Sequence, residues 1–408
     1  IEPFRDRFFF TSEESPWLLR AIIRTMQKRR LFTPGPTPVS PAASQAAAQQ
    51  IIHHRTPEFA RLMLDTRRNL QKIFKTSNDI VILSASGTAA MEAAVVNMVP
   101  SHSKAAVVVA GKFGERWVDL CHAHRRDCVT LEKEYGEAAN SDEICQLLGS
   151  APEIDTLFIQ GCETSTATMH DLESIGKAVR RKYPSVVIVV DGITAVGSQT
   201  LLTDEWGLDI VIGGSQKSFA LSPGLAFISL SPLALERLTE KPRSYYLDLN
   251  REIENQRQGK TAFTPAVSLI QSLHASTQEI VEQGLDSVIE DARIMAAATR
   301  AGLESIGCKL LSSSPANAAT AAFAPDGVDT TALIKRLNDR FDLKVAGGQG
   351  HLKGRIFRVA HLGYFDLLDV FSLLGAIELA LADLGDQPAT GKAISAALKV
   401  AQEKSYKK

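Results

Sequence analysis

A lysine near the middle of the chain has the surroundings of a reactive amine. Lys217 lies in Ser215-Gln216-Lys217-Ser218, between the apolar run 208–214 and the segment 222–230. Partial burial disfavours the charged ammonium and lowers the pKa of a lysine toward that of a nucleophilic free amine, which suits Schiff-base chemistry. A lysine at a strand end is ordinarily a solvated surface residue, so Lys217 becomes a candidate only if other residues support it.

An acidic residue and a turn of small residues could complete such a site. Asp191 ends the apolar run 186–190, and a carboxylate placed there needs a cationic or hydrogen-bonding partner. Ser86-Gly87-Thr88 separates a strand-like run from a strong helix former, where unpaired backbone N–H groups and the helix dipole suit a phosphate. The ordinary alternatives are an Asp that caps a turn and a plain helix cap.

Together these residues match the needs of one cofactor. A phosphate site, a buried acid, the flat ring of Phe113 and a lysine are the set that an aromatic phosphorylated aldehyde requires. Pyridoxal 5'-phosphate is that molecule, because it needs an acid for its ring nitrogen and a lysine for its aldehyde. A nicotinamide cofactor is disfavoured, since residues 84–88 lack the G-x-G-x-x-G spacing. We predict pyridoxal phosphate and no metal.

The candidate residues follow predicted strands. Near-continuous Val and Ile runs at 105–110, 155–160, 185–191 and 209–213 indicate a mostly parallel sheet that is covered by helices on both faces. Ligands bind beyond the carboxyl ends of such strands. The polar groups that should therefore converge on one crevice are Ser86-Gly87-Thr88, Lys112-Phe113, Glu163-Thr164-Ser165, Asp191 and Ser215-Gln216-Lys217.

Length and composition bound the class of protein. A chain of 408 residues exceeds what one hydrophobic core usually serves. The net charge of −1 argues against a nucleic-acid partner, and the sequence has no apolar run long enough for a bilayer. The five cysteines are scattered without a C-x-x-C pair, which indicates reduced thiols and a cytoplasmic location.

The predicted organisation is α/β with two domains and two terminal segments. Residues 1–30 form an extension of uncertain order, in which Met26 is a plausible natural start and the acidic Glu13 and Glu14 disfavour a transit peptide. The remaining units are a large cofactor-binding domain at 31–267, with 31–45 crossing to the small domain, a smaller α+β domain at 268–386, and a basic tail at 387–408 expected as a solvated helix with a frayed end.

Six motifs in chain order resemble the class V aminotransferases. The most similar branch contains the alanine-glyoxylate and serine-glyoxylate (serine-pyruvate) transaminases. The resemblance extends over about residues 31–385 and implies the fold of type I pyridoxal-phosphate transferases, with a mostly parallel seven-stranded sheet in the large domain. The motifs are Pro34-Gly35-Pro36-Thr37, 86–94, 111–117, Glu163-Thr164-Ser165-Thr166, Gly214-Ser215-Gln216-Lys217 and 354–363.

The resemblance implies roles around the cofactor ring. Lys217 would form the Schiff base (the internal aldimine) and later carry the transferred proton. Asp191 would pair with the pyridinium nitrogen and keep it protonated. Phe113 would stack on one ring face and Ile193 would pack on the other, while Thr164 would hydrogen-bond the ring hydroxyl.

It also implies roles at the phosphate and at the substrate. Ser86-Gly87-Thr88 and Gln216 would hold the phosphate, with Thr264 reaching in from the second subunit of a homodimer that shares its active sites. Arg358 would grip the substrate α-carboxylate in a bidentate pair, a task for which Lys is less suited, and the Gly35 backbone would help.

The implied activity is transfer of the amino group of a small amino acid (alanine, serine or aspartate) to a 2-oxo acid such as glyoxylate or pyruvate. Cys162, Ala167 and Ala360 depart from the family pattern, which bears on the substrate more than on the cofactor. Alternatives are a 2-aminoethylphosphonate-pyruvate transaminase, a cysteine desulfurase, for which Cys308 is the available small-domain thiol, and a non-catalytic regulatory homologue.

Overall fold

A computed structural model describes residues 28–238, 244–386 and 390–405. The extension at 1–27, including the expected start at Met26, lies outside the described residues. The helices are α1 (Pro41–Ala47), α2 (Pro57–Ile73), α3 (Gly87–Met98), α4 (Lys112–Ala123), α5 (Ser141–Leu148), α6 (Leu172–Lys182), α7 (Pro232–Arg237), α8 (Leu249–Gln256), α9 (Val267–Gln283), α10 (Leu285–Ser305), α11 (Thr330–Phe341), α12 (Leu367–Asp383) and α13 (Lys392–Ser405), with a 3-10 turn at Gly350–Leu352.

The strands are β1 (Arg30–Leu31), β2 (Asp79–Leu83), β3 (Lys104–Val109), β4 (Asp127–Glu132), β5 (Ile154–Gln160), β6 (Cys162–Glu163), β7 (Thr168–Met169), β8 (Val187–Asp191), β9 (Ile210–Gly214), β10 (Ala226–Leu230), β11 (Lys309–Leu310), β12 (Ala319–Phe323), β13 (Leu343–Lys344), β14 (Ala346–Gly347) and β15 (Ile356–Ala360). In the part of the chain that the structure describes, no helix is both long and apolar enough to cross a membrane.

A seven-stranded sheet forms the centre of the molecule. Its order is β2-β10-β9-β8-β5-β3-β4, and β10 alone runs antiparallel to its neighbours. Successive residues of β8 enter opposite cores: Ile188 and Val190 join one hydrophobic cluster, whereas Val187 and Val189 join the other. Burial on both faces explains the unbroken Val and Ile runs. The predicted α/β fold with a mostly parallel seven-stranded sheet is confirmed.

A second, antiparallel sheet has the order β11-β12-β15-β14 and packs on α10 to α13. The N-terminal β1 pairs with β13 on this side, and Phe32 stacks on Phe365. The predicted division at residue 267 stays a prediction. The helix α9 begins at that residue and buries Ile270 and Leu273 in a hydrophobic cluster of the large sheet.

The C-terminal helix differs from its expectation. The prediction of a solvated helix was wrong for one face of α13, where Ala393 and Ala397 are buried against the small-sheet core and Ala401 is also buried. The buried carboxylate of Glu378 on α12 accepts hydrogen bonds from the N–H groups of Gly391 (2.9 Å) and Ala393 (2.7 Å). An acidic group at a helix N-terminus stabilises it, so α13 is fixed by a contact that its own sequence does not contain.

Replacing Glu378 should loosen this helix. The Glu378→Ala variant leaves two helix-start N–H groups without their acceptor, which costs about 1 to 3 kcal/mol of the free energy of unfolding. Urea denaturation of the purified protein measures the loss. Leu379→Ala, on the next residue of α12, whose side chain is about half exposed, is the control and should change stability by less than the Glu378→Ala variant does. Equal stability of the two variants would contradict the capping role.

Candidate active site

A cavity of about 280 Å³ opens where β2, β3, β8 and β9 end. Parallel strands bring their carboxyl ends to one edge of the sheet, which is why residues far apart in the chain meet there. All of the predicted cofactor residues except Thr264 line it, and so does Gly35. The lining residues are Gly35, Pro36, Ser86, Gly87, Thr88, Phe113, Arg116, Thr164, Asp191, Ile193, Thr194, Gln216, Lys217 and Pro223.

Lys217 is buried at the base of this cavity, with 8% of its surface exposed. Its Nζ donates a hydrogen bond to the carbonyl of Pro34. Gly35 has a φ of +139°, and a Cβ added there would lie 2.5 Å from Lys217 Nζ, so the close approach requires glycine. Burial lowers the pKa of Lys217 to about 8, although the Cys162 thiol and the Asp191 carboxylate oppose the shift.

Asp191 ends β8 as a buried carboxylate. Its Oδ1 accepts a hydrogen bond from the N–H of Ile193 at 3.0 Å, which leaves the second oxygen for a ligand in the cavity. Burial raises the pKa of Asp191 to about 6, while the charges of Lys217 and Arg116 and the Ile193 N–H oppose the rise. The opposite shifts of Asp191 and Lys217 have one cause, since burial disfavours the charged form of each.

The first turn of α3 forms the phosphate-like end of the cavity. Ser86 is the N-cap but its side chain makes no capping hydrogen bond, so the N–H groups of Gly87 and Thr88 remain available. A Cβ on Gly87 would lie 2.4 Å from Cδ1 of Ile193, so a larger residue there would displace the Ile193 side chain. Gln216 Oε1 is buried without a partner among the described residues. Free helix-start N–H groups fit a phosphate, and the side-chain NH₂ group of Gln216 in the same lining can donate as well, so these residues fit pyridoxal phosphate.

The buried carboxylate of Glu163 holds the first turn of α4, which carries Phe113. Glu163 Oε2 accepts from the N–H groups of Phe113 and Gly114 at 3.0 Å each, and Oε1 accepts from the N–H of Ser165 at 3.0 Å. An acid at this position satisfies helix-start donors and pairs with the helix dipole. Sequence reasoning placed Glu163 at the crevice but did not find this role.

Two predicted residues lie outside the cavity lining. Arg358, on β15, is buried beside it: Nη1 donates to the carbonyl of Thr164 at 2.8 Å, while Nε (3.1 Å) and Nη2 (2.8 Å) donate to the carbonyl of Gly347. Burial lowers the pKa of Arg358 below its usual range, and Glu163 opposes the shift. Thr264 is exposed, and its predicted role in a second subunit stays a prediction.

Comparison with known proteins tests the family resemblance that the sequence motifs indicate. The family model described as Aminotransferase class-V matches residues 41–357. This chain belongs to the class V aminotransferases. It is 35% identical to the small subunit of a soluble hydrogenase from Synechococcus sp. strain PCC 6716, over 91% of this chain and 98% of that protein. It is 30% identical to an L-aspartate-glyoxylate aminotransferase from Paracoccus denitrificans, over 90% and 94%.

A solved structure agrees over nearly its whole length. The subgroup IV aspartate aminotransferase from Thermus thermophilus superposes with a TM-score of 0.82 at 32% identity, covering 87% of this chain and 99% of that one. The resemblance to class V aminotransferases that the six motifs indicate is therefore confirmed for the family and for the fold.

In this class V aminotransferase, the cavity lining contains two polar residues that the sequence analysis did not assign to the site, Arg116 and Thr194. The guanidinium of Arg116 lies 4.7 Å from the centre of the Phe113 ring, and its Nη1 donates to Thr88 Oγ1 at 3.2 Å. Thr194 Oγ1 lies 2.6 Å from Thr164 Oγ1. Arg116 follows Phe113 by three residues, so the helical spacing of the motif could have identified it.

One of the departures from the family pattern, Ala167, lies in a left-handed backbone conformation. The buried Ala167, which stands where the family usually has Gly, adopts a φ of +55°. This left-handed backbone is the conformation that glycine adopts without strain, and it explains the usual Gly at this position.

Lys217 should be unusually reactive in the cofactor-free protein. Because the free amine forms as pH rises through its pKa of about 8, reductive methylation by formaldehyde and cyanoborohydride should reach half its maximal rate near pH 8. The urea-unfolded protein is the reference, in which lysines have a pKa of about 10.4. Peptide mass spectrometry after methylation at each pH gives the rate at Lys217.

The Asp191→Asn variant tests whether the Asp191 carboxylate shifts the pKa of Lys217. Removal of the carboxylate removes a contribution that raises the pKa of Lys217, so the midpoint of methylation should move to lower pH. A midpoint near that of the unfolded protein, in either form, would show that the lysine is not desolvated.

Proposed function

We propose that this protein is a pyridoxal-phosphate-dependent transaminase that moves the amino group of a small amino acid (alanine, serine or aspartate) to a 2-oxo acid such as glyoxylate or pyruvate. The observation that carries the proposal is the pairing of Lys217 and Asp191 in one cavity at the end of the large sheet. Family membership and the L-aspartate-glyoxylate relative support the same activity.

The cavity divides into parts that each suit one feature of the cofactor. The N–H groups of Gly87 and Thr88, with Ser86 and Gln216, would hold the phosphate. The free oxygen of Asp191 would hold a proton on the ring nitrogen. When bound, pyridoxal phosphate supplies an electron sink for the substrate Cα–H bond.

Lys217 Nζ is the group that binds the cofactor and moves the proton. A pKa of about 8 leaves an appreciable fraction of free amine near neutral pH, so Nζ can accept the proton of the substrate Cα and return it. The Pro34 carbonyl restricts where the amine can lie. A proton carrier with a pKa near the working pH loses little driving force in either direction.

Arg358 is suited to hold the substrate α-carboxylate. The guanidinium has five N–H donors, and its three hydrogen bonds use one each on Nε, Nη1 and Nη2. One N–H therefore remains on each terminal nitrogen, as a two-pronged grip on a carboxylate requires. The carbonyls of Thr164 and Gly347 fix the plane of this fork.

The other activities in the family fit less well. A cysteine desulfurase needs an accessible thiolate, but Cys308 is buried with 4% of its surface exposed, and burial raises its pKa to about 12. A non-catalytic homologue would not need Lys217, Asp191 and Arg358, all of which are present. A 2-aminoethylphosphonate transaminase would place a phosphonate where we place the carboxylate, and a donor panel separates the two.

We extend the proposal to assembly and location. The protein would act as a homodimer in which Thr264 of each subunit completes the phosphate site of the other. The described cysteines are all free thiols, which agrees with a reducing, cytoplasmic compartment. Sedimentation of the purified protein tests the dimer.

The purified protein should carry pyridoxal phosphate with a visible absorbance band, and borohydride should remove the band while it fixes the cofactor on Lys217. Alanine, serine, aspartate and 2-aminoethylphosphonate, each paired with glyoxylate, pyruvate or 2-oxoglutarate, then identify donor and acceptor. Lys217→Ala should abolish turnover and retain cofactor weakly. A wild-type protein that takes up no pyridoxal phosphate would overturn the proposal.

Arg358→Ala should raise KM about 10- to 100-fold for every amino acid alike, because two charge-assisted hydrogen bonds to the shared carboxylate are lost. Arg358→Lys should recover only part of this loss, since an ammonium cannot form the planar fork. Arg355→Ala, at an exposed position before the same strand, is the matched control and should leave KM within about twofold. An effect on a single donor would exclude a common carboxylate clamp.

A further inference from the structure

An aromatic contact outside the cavity joins the small-sheet side of the molecule to the large-sheet side. The 3-10 turn Gly350–Leu352 connects β14 to β15, and the ring of His351 lies 4.4 Å from that of Tyr135, tilted by 49°. A Cβ added to Gly350 would lie 3.6 Å from Lys112 Cδ and 3.7 Å from Tyr135 Oη. The small-sheet turn thus rests on Lys112 and Tyr135 of the large-sheet side.

Tyr135 is itself fixed to the helix that carries Phe113. Its hydroxyl donates to Glu115 Oε1, and Lys112 Nζ donates to Glu115 Oε2. Partial burial alone would raise the pKa of Glu115, but these two hydrogen bonds lower it below its usual range. Partial burial and Glu115 raise the pKa of Tyr135. The carboxylate is therefore ionised and the tyrosine neutral, so Tyr135 stays a donor.

The other end of the same turn holds Arg358. Gly347 O accepts from both Nε and Nη2 of Arg358, and the N–H of Gly348 donates to Ile356 O at 3.0 Å. A Cβ on Gly348 would lie 2.1 Å from the carbonyl of Leu352. The turn is therefore closed too tightly for a side chain at position 348, and it joins His351 to the Gly347 carbonyl, which lies four residues earlier in the chain.

We propose that Tyr135 and His351 are positioning residues for the substrate carboxylate. They press the turn 347–352 onto α4, so that the Gly347 carbonyl sets the plane of the Arg358 guanidinium. Neither residue lines the cavity, so they act through Arg358. This inference rests on the proposed function for the identity of the carboxylate, and its geometry rests on the contacts of Tyr135, His351 and Gly347 given above.

Loss of the contact between Tyr135 and His351 should weaken substrate binding and leave the chemical step unchanged. Loss of the contact lets the fork of Arg358 turn away from the plane in which both free N–H groups face one carboxylate. Bidentate hydrogen bonds depend on this alignment. The hydrogen bonds described above for Lys217 and Asp191 are made with Pro34 and Ile193, not with Tyr135 or His351, so we expect proton movement at Nζ to be unaffected.

The test uses the cofactor-loaded protein and the variants His351→Ala, Tyr135→Phe and the pair combined, with His351→Phe as the conservative variant that keeps the ring contact. Calorimetry measures the Kd of lactate, a 2-hydroxy acid that carries the carboxylate but no amino group. Steady-state kinetics with each active donor measures KM and kcat, and absorbance and thermal unfolding report cofactor and fold.

We expect His351→Ala and Tyr135→Phe each to raise the lactate Kd and the donor KM about 3- to 10-fold, with kcat within about twofold and an unchanged cofactor band. The double variant should lose less than the product of the single losses, because both act through one turn, and His351→Phe should recover most of the affinity. Unchanged Kd and KM in His351→Ala, or a fall in kcat alone, would overturn the inference.

The lactate measurement separates this inference from the proposed function. If the wild-type protein binds lactate and His351→Ala weakens it, the positioning role stands even where no donor is turned over. If donors are turned over but the variants bind lactate as the wild type does, the function stands and the positioning role fails.

Discussion

The burial of one amine is the constraint on which the rest of the site depends. An ammonium removed from water needs compensation, and Lys217 obtains it from the Pro34 carbonyl and from the nearby Asp191. Neither partner restores full hydration, so the amine loses its proton more easily than an ordinary lysine. The glycine at position 35 is the condition for this arrangement, because any side chain there would occupy the position of Nζ.

The fold brings the groups that act with Lys217 to the same place. The parallel strands carry Asp191, Lys217 and the start of α3 to one edge of the sheet, and the second sheet adds Arg358 from a different part of the chain. Charges of both signs are buried together there. Each is held by backbone groups: the Ile193 N–H at Asp191, and the Thr164 and Gly347 carbonyls at Arg358. Fixed dipoles of this kind hold reacting groups without the reorganisation that water requires.

The sequence predicted the residues whose positions follow from strand ends. Asp191 directly follows a readable apolar run, Lys217 and Gly87 come a few residues after the end of one, and a parallel sheet then gathers them. It did not predict contacts that depend on how distant elements pack. The ring contact of Tyr135 with His351 and the docking of α13 on Glu378 have no local pattern. The role predicted for Thr264 involves a second subunit, which one sequence does not position.

A transaminase must move the amino group from the donor to the acceptor intact. The most direct measurement supplies the loaded protein with ¹⁵N-labelled donor and unlabelled glyoxylate, then follows the nitrogen by mass spectrometry. We expect ¹⁵N-glycine in an amount equal to the oxo acid formed from the donor, and no labelled glycine with Lys217→Ala. Release of the label as free ammonia, or glycine without label, would contradict this expectation.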